Sequence, residues 1–262
     1  MNPIHAVLLG LLQGLTEFLP VSSSGHLVLA QHFLPGFNQP GVLFDVLLHA
    51  ATMLAVCLYF RRDLWGLLVS LNATTPEQRA QRRVLGMILL ASVPTAAIGL
   101  GFEDFFLKLF DSITTVAVML LVTGSLLLLA ERLRSEGRPI TGIGPVDALL
   151  VGTVQGLAII PGISRSGSTI AALLLRGIDG EAAARFSFLL ALPAVGGATL
   201  LSLRHVSQIQ SADLPAYCAG AAVAFGVGLA AIHLLMAVIR KRRLVWFAAY
   251  CWLAGLGFLL LS

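Results

Sequence analysis

From Leu214 to Ile239 the chain carries no Asp, Glu, Lys or Arg, and the same pattern recurs along its length: long apolar stretches set apart by short clusters of arginine. A stretch of roughly 17 to 25 such residues is what a helix needs to cross the hydrocarbon core of a bilayer. Six qualify, approximately Gly41 to Phe60, Val84 to Phe102, Ile113 to Ala130, Phe186 to Leu203, Leu214 to Ile239 and Leu244 to Leu261. Charged residues make up 11% of the chain, where a water-facing globule needs about 25%. That is too little charge to cover a soluble surface. With 57% of residues in the AVILMFWYC set and no proline repeat, disorder and fibre are excluded as well. The expected fold is an all-α integral membrane protein, a single membrane domain over residues 1–262.

Two further stretches, Pro3 to about Val28 and Pro145 to about Leu175, begin apolar and then break into polar, Gly- and Pro-containing sequence. A lipid-facing helix could not carry Thr16, Glu17, Pro20, Ser22, Ser23, Ser24, Gly25 and His26 in one run. Irregular backbone at membrane depth is tolerated only where protein or a water-filled cavity surrounds it. Both stretches therefore read as re-entrant helix-loop-helix hairpins, giving six transmembrane helices plus two hairpins.

The hairpins are copies of one another. An ungapped shift pairs Pro3 with Pro145, Gly10 with Gly152, Gln13-Gly14-Leu15 with Gln155-Gly156-Leu157, Ser22 with Ser164, Ser24 with Ser166, and Gly25 with Gly167. Leucine matches alone would arise by chance in apolar sequence. The Gln-Gly-Leu triplet combined with a spaced Ser-x-Ser-Gly would not. The halves, about 1–140 and 143–262, each hold one hairpin and three spans. Three is odd, so the second half sits upside down relative to the first. The charges agree: Arg61, Arg62, Arg79, Arg82 and Arg83, then Arg132, Arg134 and Arg138, then Arg240, Lys241, Arg242 and Arg243 all fall on one side under this count. The positive-inside rule makes that side cytoplasmic and puts both termini outside. Inverted repeats place their site near the midplane, where broken helices meet.

An ionisable residue inside the membrane costs about 2.5–3.5 kcal/mol on the insertion scale, so Glu17 is a functional candidate by default. Gln13 lies four residues earlier on the same helical face, where two oxygen groups can converge on a divalent cation, Mg²⁺ or Ca²⁺, or simply pair to hold the hairpin closed. His26 follows the serine-rich turn and can act as general acid/base or nucleophile, with Ser22, Ser23 and Ser24 as alternative nucleophiles or donors. In the second hairpin, Arg165 stands among Ser164, Ser166, Ser168 and Thr169, next to Gly162 and Gly167. A guanidinium fork beside backbone donors at a helix N-terminus is an anion receptor.

The remaining polar residues say less. Asp45 and His49 share a helical face and could face the same cavity or sit at the interface with headgroups and water, the second reading being slightly favoured. His233 reads as a buried, hydrogen-bonded residue, and nothing supports a role for His5, His32 or His205. Cys57, Cys218 and Cys251 lie in apolar runs and read as small buried hydrophobes. No Lys or Arg precedes Arg61, so the basic start of a cleavable signal peptide is missing and the first segment is expected to stay. The net charge of +4 comes from clusters that report topology. With no aromatic-interleaved basic patch, nucleic acid is not an expected partner.

At Gln13, Glu17, Pro20, Ser22, Ser23, Gly25 and His26, and again at Pro161, Gly162, Ser164, Arg165, Ser166 and Thr169, the chain resembles the bacterial undecaprenyl-diphosphate phosphatases, the bacitracin-resistance family. The Phe186–Ala191 run is similar as well. The resemblance implies a plasma-membrane phosphatase, dependent on a divalent cation, that removes the terminal phosphate of undecaprenyl diphosphate at an outward-facing site. This would recycle the lipid carrier of cell-wall synthesis and confer bacitracin resistance. It implies Glu17 with Gln13 as the metal and acid motif, Ser23 and His26 as catalytic residues, and Arg165 as the phosphate-binding arginine. The hydroxyls of Ser22, Ser24, Ser164, Ser166 and Thr169 are expected to line the substrate. Many relatives carry glutamate where Gln13 stands. The expected partners are the polyprenyl diphosphate and membrane lipids, and a homodimer is compatible with all of this.

The inverted repeat also suits a secondary transporter or a polyprenyl-phosphate flippase, but the polar residues form a catalytic set. Ser24-Gly25-His26 looks like the acid-phosphatase-like lipid phosphatases too. Their second motif needs a histidine six positions after Arg165, where this chain has Ala171.

Overall fold

The computed structural model describes residues 1–34, 43–110, 112–134, 137–202 and 211–260. Among them the fold is all helical: α1 (Pro3–Phe18), α2 (Ser23–Phe33), α3 (Leu43–Tyr59), α4 (Arg61–Val69), α5 (Pro76–Gly101), α6 (Glu103–Leu109), α7 (Ile113–Leu133), α8 (Pro145–Leu157), α9 (Arg165–Leu175), α10 (Gly180–Ser202), α11 (Leu214–Arg240) and α12 (Val245–Leu259). The expected ends at Gly41, Leu203 and Leu261, and His205, lie outside the described residues.

Four helices, α5, α7, α10 and α11, are long and apolar enough to cross a membrane, and a fifth span arises if α3 and α4, bent 74° apart, count as one. α12 is apolar but has 15 residues, about 22 Å at 1.5 Å per residue, short of a bilayer core of about 30 Å. Helix caps extend the spans beyond their apolar stretches. α5 starts at Pro76 instead of Val84 because Thr75 and Gln78 form a capping box ahead of an N1 proline. α10 starts at Gly180 instead of Phe186 because Asp179 Oδ2 accepts from the backbone N–H groups of Glu181 and Ala182. The short helices α4 and α6 have no counterpart in the apolar pattern.

The sequence repeat is also a packing repeat. α1 lies against α11 and α8 against α5, and each contact closes at a glycine of the matched pair. A Cβ on Gly10 would collide with the Gly220 carbonyl, and one on Gly152 with the Ala91 carbonyl. Small residues let helix backbones approach this closely inside a membrane. Between them, Phe18 and Phe188, one from each half, meet edge to face at 5.5 Å in the main core.

One end of the second half is braced by a buried carboxylate. Asp147 takes Arg176 Nε at 2.7 Å, Arg138 Nη1 at 3.2 Å and the Gly144 N–H at 3.0 Å. Arg138 also pairs its backbone with Gly177 and Asp179, so the segment before α8 is tied to the turn after α9. Two expectations need correcting. His233 is exposed on the outer face of α11, where a helix with apolar residues all round offers no polar partner. Of the cysteines, Cys251 is buried, Cys57 partly so, and Cys218 exposed, because α11 turns Cys218 away from the packed face.

Candidate active site

The two broken helix pairs meet at their tips. In the first, α1 ends at Phe18 and α2 begins at Ser23 after a four-residue break, with Ser22 as N-cap, its φ of 70° in the left-handed region. Its Oγ accepts from the Gly25 N–H at 3.3 Å, so the capping bond holds a conformation that a serine rarely adopts. In the second, Ser164 caps α9 and accepts from the Gly167 N–H at 3.0 Å. Gly162 precedes it with φ +95°, against the Val116 carbonyl, where any side chain would collide. Thr123 of α7 fixes this turn, donating to the Gly162 carbonyl at 3.0 Å and accepting the Ser164 N–H at 3.1 Å. The tips touch where Gly25 faces Gly162 and Gly167 faces Pro20, with Ser166 Oγ 3.5 Å from the Leu19 carbonyl.

Glu17 is the centre of what this brings together. Its carboxylate is buried and accepts Arg165 Nη2 at 2.7 Å on Oε1. On Oε2 it accepts Ser23 Oγ at 2.6 Å and Gln13 Nε2 at 3.0 Å. His49 Nε2 lies 3.3 Å from the same oxygen, while its Nδ1 reaches the Asp45 carbonyl at 2.8 Å. His49 thus belongs to the cluster and not to the interface where the sequence pattern put it, because α3 packs beside α1 with this face inward. Asp45 Oδ1 accepts from Gln31. A buried charge persists only when paired and hydrogen-bonded, and Arg165 supplies the pair from the other half of the chain. Among the described residues its buried Nη1 has no acceptor. A buried N–H of a guanidinium left without a partner is costly, and a phosphoryl oxygen is the kind of acceptor that would relieve it.

His26 sits one turn along α2 from Ser23. Its Nδ1 is 2.8 Å from the Ser22 carbonyl and its Nε2 is 2.7 Å from the Tyr250 hydroxyl. The hydroxyls expected to line the substrate divide into two sets. Ser22 and Ser164 serve as caps, and Thr169 Oγ1 bonds back to the Arg165 carbonyl at 2.8 Å and meets Ser187 Oγ at 2.5 Å. Ser166 lies 3.3 Å from Ser164 Oγ. Ser23 and Ser24 remain half-buried at the opening of α2.

A divalent cation held by Glu17 and Gln13 would meet a carboxylate already ringed by donors, one of them a guanidinium. Gln13 turns its Nε2 to Glu17, and its Oε1 is buried without a partner. No group of three or more His, Cys, Asp or Glu able to hold a metal occurs among the described residues. One carboxylate and one amide oxygen are two of the six or more oxygens such a cation takes, so water or substrate phosphate would have to supply the rest. The residues present do not form a resident metal cage, and no step below runs through one.

Tyr250 and Thr123 went unread in the sequence. Each is an ordinary residue of an apolar run, and only the packing of α12 and α7 on the hairpin tips gives it a partner.

A family model described as bacitracin resistance protein BacA matches residues 6–257. A protein of Syntrophotalea carbinolica named undecaprenyl-diphosphatase is 58% identical over the whole of both chains. Proteins of the same name from Halothermothrix orenii and Carboxydothermus hydrogenoformans are 42% and 41% identical, over all of this chain and 99% and 98% of theirs. With several helices of membrane-crossing length and both site motifs inside the matched region, the chain is a multi-pass membrane protein that belongs to the BacA bacitracin resistance family.

Proposed function

We propose that this protein hydrolyses undecaprenyl diphosphate to undecaprenyl phosphate and inorganic phosphate. The observation that carries the reading is the Glu17 carboxylate, joined on one oxygen to the Ser23 hydroxyl at 2.6 Å and on the other to Arg165 at 2.7 Å. A hydroxyl donating to a buried carboxylate is a nucleophile beside its base. A guanidinium with one N–H group still unpartnered can take the charge that builds on the phosphoryl oxygens. Ser23 Oγ attacks the terminal phosphorus as its proton passes to Glu17. The bond to the lipid phosphate breaks, and the lipid monophosphate leaves. Water then cleaves the phosphoserine with His26 as base, and Ser23 recovers its proton from Glu17.

The same reading takes the chain as six spans and two re-entrant hairpins in the bacterial plasma membrane. The arginine clusters are cytoplasmic and the site opens outward, in reach of a lipid diphosphate on that face. α3 with α4, and the short α12, serve as the first and last spans. A divalent cation enters as part of the substrate, a metal–diphosphate whose own oxygens make up the ligands that Glu17 and Gln13 cannot supply.

The test is phosphate release from a long-chain polyprenyl diphosphate by the purified protein. Stoichiometric phosphate and lipid monophosphate are expected from the wild-type chain and not from Glu17→Ala. Absence of release from the wild type in the presence of Mg²⁺ or Ca²⁺ would refute the assignment.

A further inference from the structure

The His26 ring is held on both nitrogens. Nδ1 faces the Ser22 carbonyl at 2.8 Å, and a carbonyl can only accept, so Nδ1 carries a proton. In the neutral ring the lone pair is then on Nε2, and the hydroxyl 2.7 Å away, that of Tyr250, donates to it. The two rings also lie nearly parallel, 15° apart with centroids at 5.7 Å. Tyr250 comes from α12, outside both motifs. Any proton bound for Nε2 must displace this phenol or pass through it. The side chain is 45% exposed, so the protein does not close over the phenol.

We infer that Tyr250 is a proton relay of the hydrolytic site, passing the proton of the attacking water to His26 Nε2. The inference rests on the function proposed above and deepens its second step. As the water oxygen bonds to the phosphorus of phosphoserine, one water proton moves to the Tyr250 oxygen while the phenolic proton moves to Nε2. The bond from phosphorus to Ser23 Oγ breaks, and that oxygen takes back the proton held by Glu17. Tyr250 ends as it began, His26 ends as the imidazolium, and that proton leaves to solvent. The first step, in which Ser23 is phosphorylated, does not use Tyr250.

Tyr250→Phe removes one oxygen and keeps the ring. With substrate labelled in its terminal phosphate, we expect kcat to fall by about 10²-fold, within the range for general acid–base groups, and KM to fall with it, so that kcat/KM, which the first step sets, stays within about twofold of wild type. Because only the second step is slowed, acid-quenched Tyr250→Phe should retain label on the peptide that contains Ser23, where the wild type retains little. Tyr250→His, which restores a proton-carrying group, should recover part of the loss. A kcat within twofold of wild type, or a fall in kcat without trapped label, would overturn the inference. If Tyr250→Phe does not fold, the same trapping assay on Tyr250→His decides: turnover with no excess label supports the relay, and loss of turnover without label refutes it. Failure of the wild type to release phosphate would instead refute the function and leave the Tyr250–His26 contact unassigned.

Discussion

Arg165 and Glu17, 148 positions apart in the chain, meet at 2.7 Å where the tips of two broken helix pairs touch. Each half of the repeat brings one member of the pair.

Arg165 has one N–H group on Glu17 and a buried Nη1 with no partner. A flat fork can hold Glu17 and a phosphoryl oxygen together, which an ammonium cannot. Arg165→Lys should therefore fail almost as badly as Arg165→Ala, with kcat down by about 10²–10³. Steady-state kinetics check it: an unchanged kcat with only a raised KM would make the arginine a substrate anchor.

Gln13→Glu would replace the amide 3.0 Å from Glu17 Oε2 with a second carboxylate. Two carboxylates at that distance need a proton or a cation between them. The variant should therefore depend more steeply on divalent cation than the wild type. Titrating Mg²⁺ from full chelation upward in both proteins tests this, and superimposable curves would contradict it.

Gly152→Ala places a methyl group against the Ala91 carbonyl, and Gly10→Ala does the same at Gly220. Overpacking of this sort costs about 1–3 kcal/mol. Both variants should unfold at lower temperature in detergent, while Gly86→Ala, with open space around its Cβ position, should match the wild type. Equal unfolding temperatures in all three would show that the helix contacts are not closed by these glycines.

Single cysteines placed in the Arg79–Arg83 segment of a chain without Cys57, Cys218 and Cys251 should resist an impermeant thiol reagent in intact cells and react after permeabilisation. Reaction in intact cells would invert the proposed orientation.

Glu17 and Arg165 were legible in the sequence because ionisable residues stand out in apolar runs, and their meeting was legible because the repeat relates the two hairpins. His49 was visible but misplaced, since residues near the end of an apolar run look alike whether they face water or a neighbouring helix. Tyr250 gave no signal: a lone tyrosine in the last apolar run acquires meaning from a contact across 224 positions. Helix ends were misjudged for a simpler reason. Hydropathy marks where lipid begins, while Thr75 and Asp179 begin α5 and α10 with polar caps several residues earlier.

The brace at Asp147 also limits how the molecule can move. Two guanidiniums and a backbone N–H group converge on that one buried carboxylate, and α8 lies backbone to backbone on α5 at Gly152. The brace joins the start of α8 to the end of α9, so the two arms of this hairpin cannot part without breaking it. The Arg165 hairpin, α8 and α9, is built as the rigid jaw of the site. Admission of a long lipid then falls to the opposing jaw, α2 and the exposed Tyr250 edge of α12, and turnover there needs side chains to part without a change in the frame.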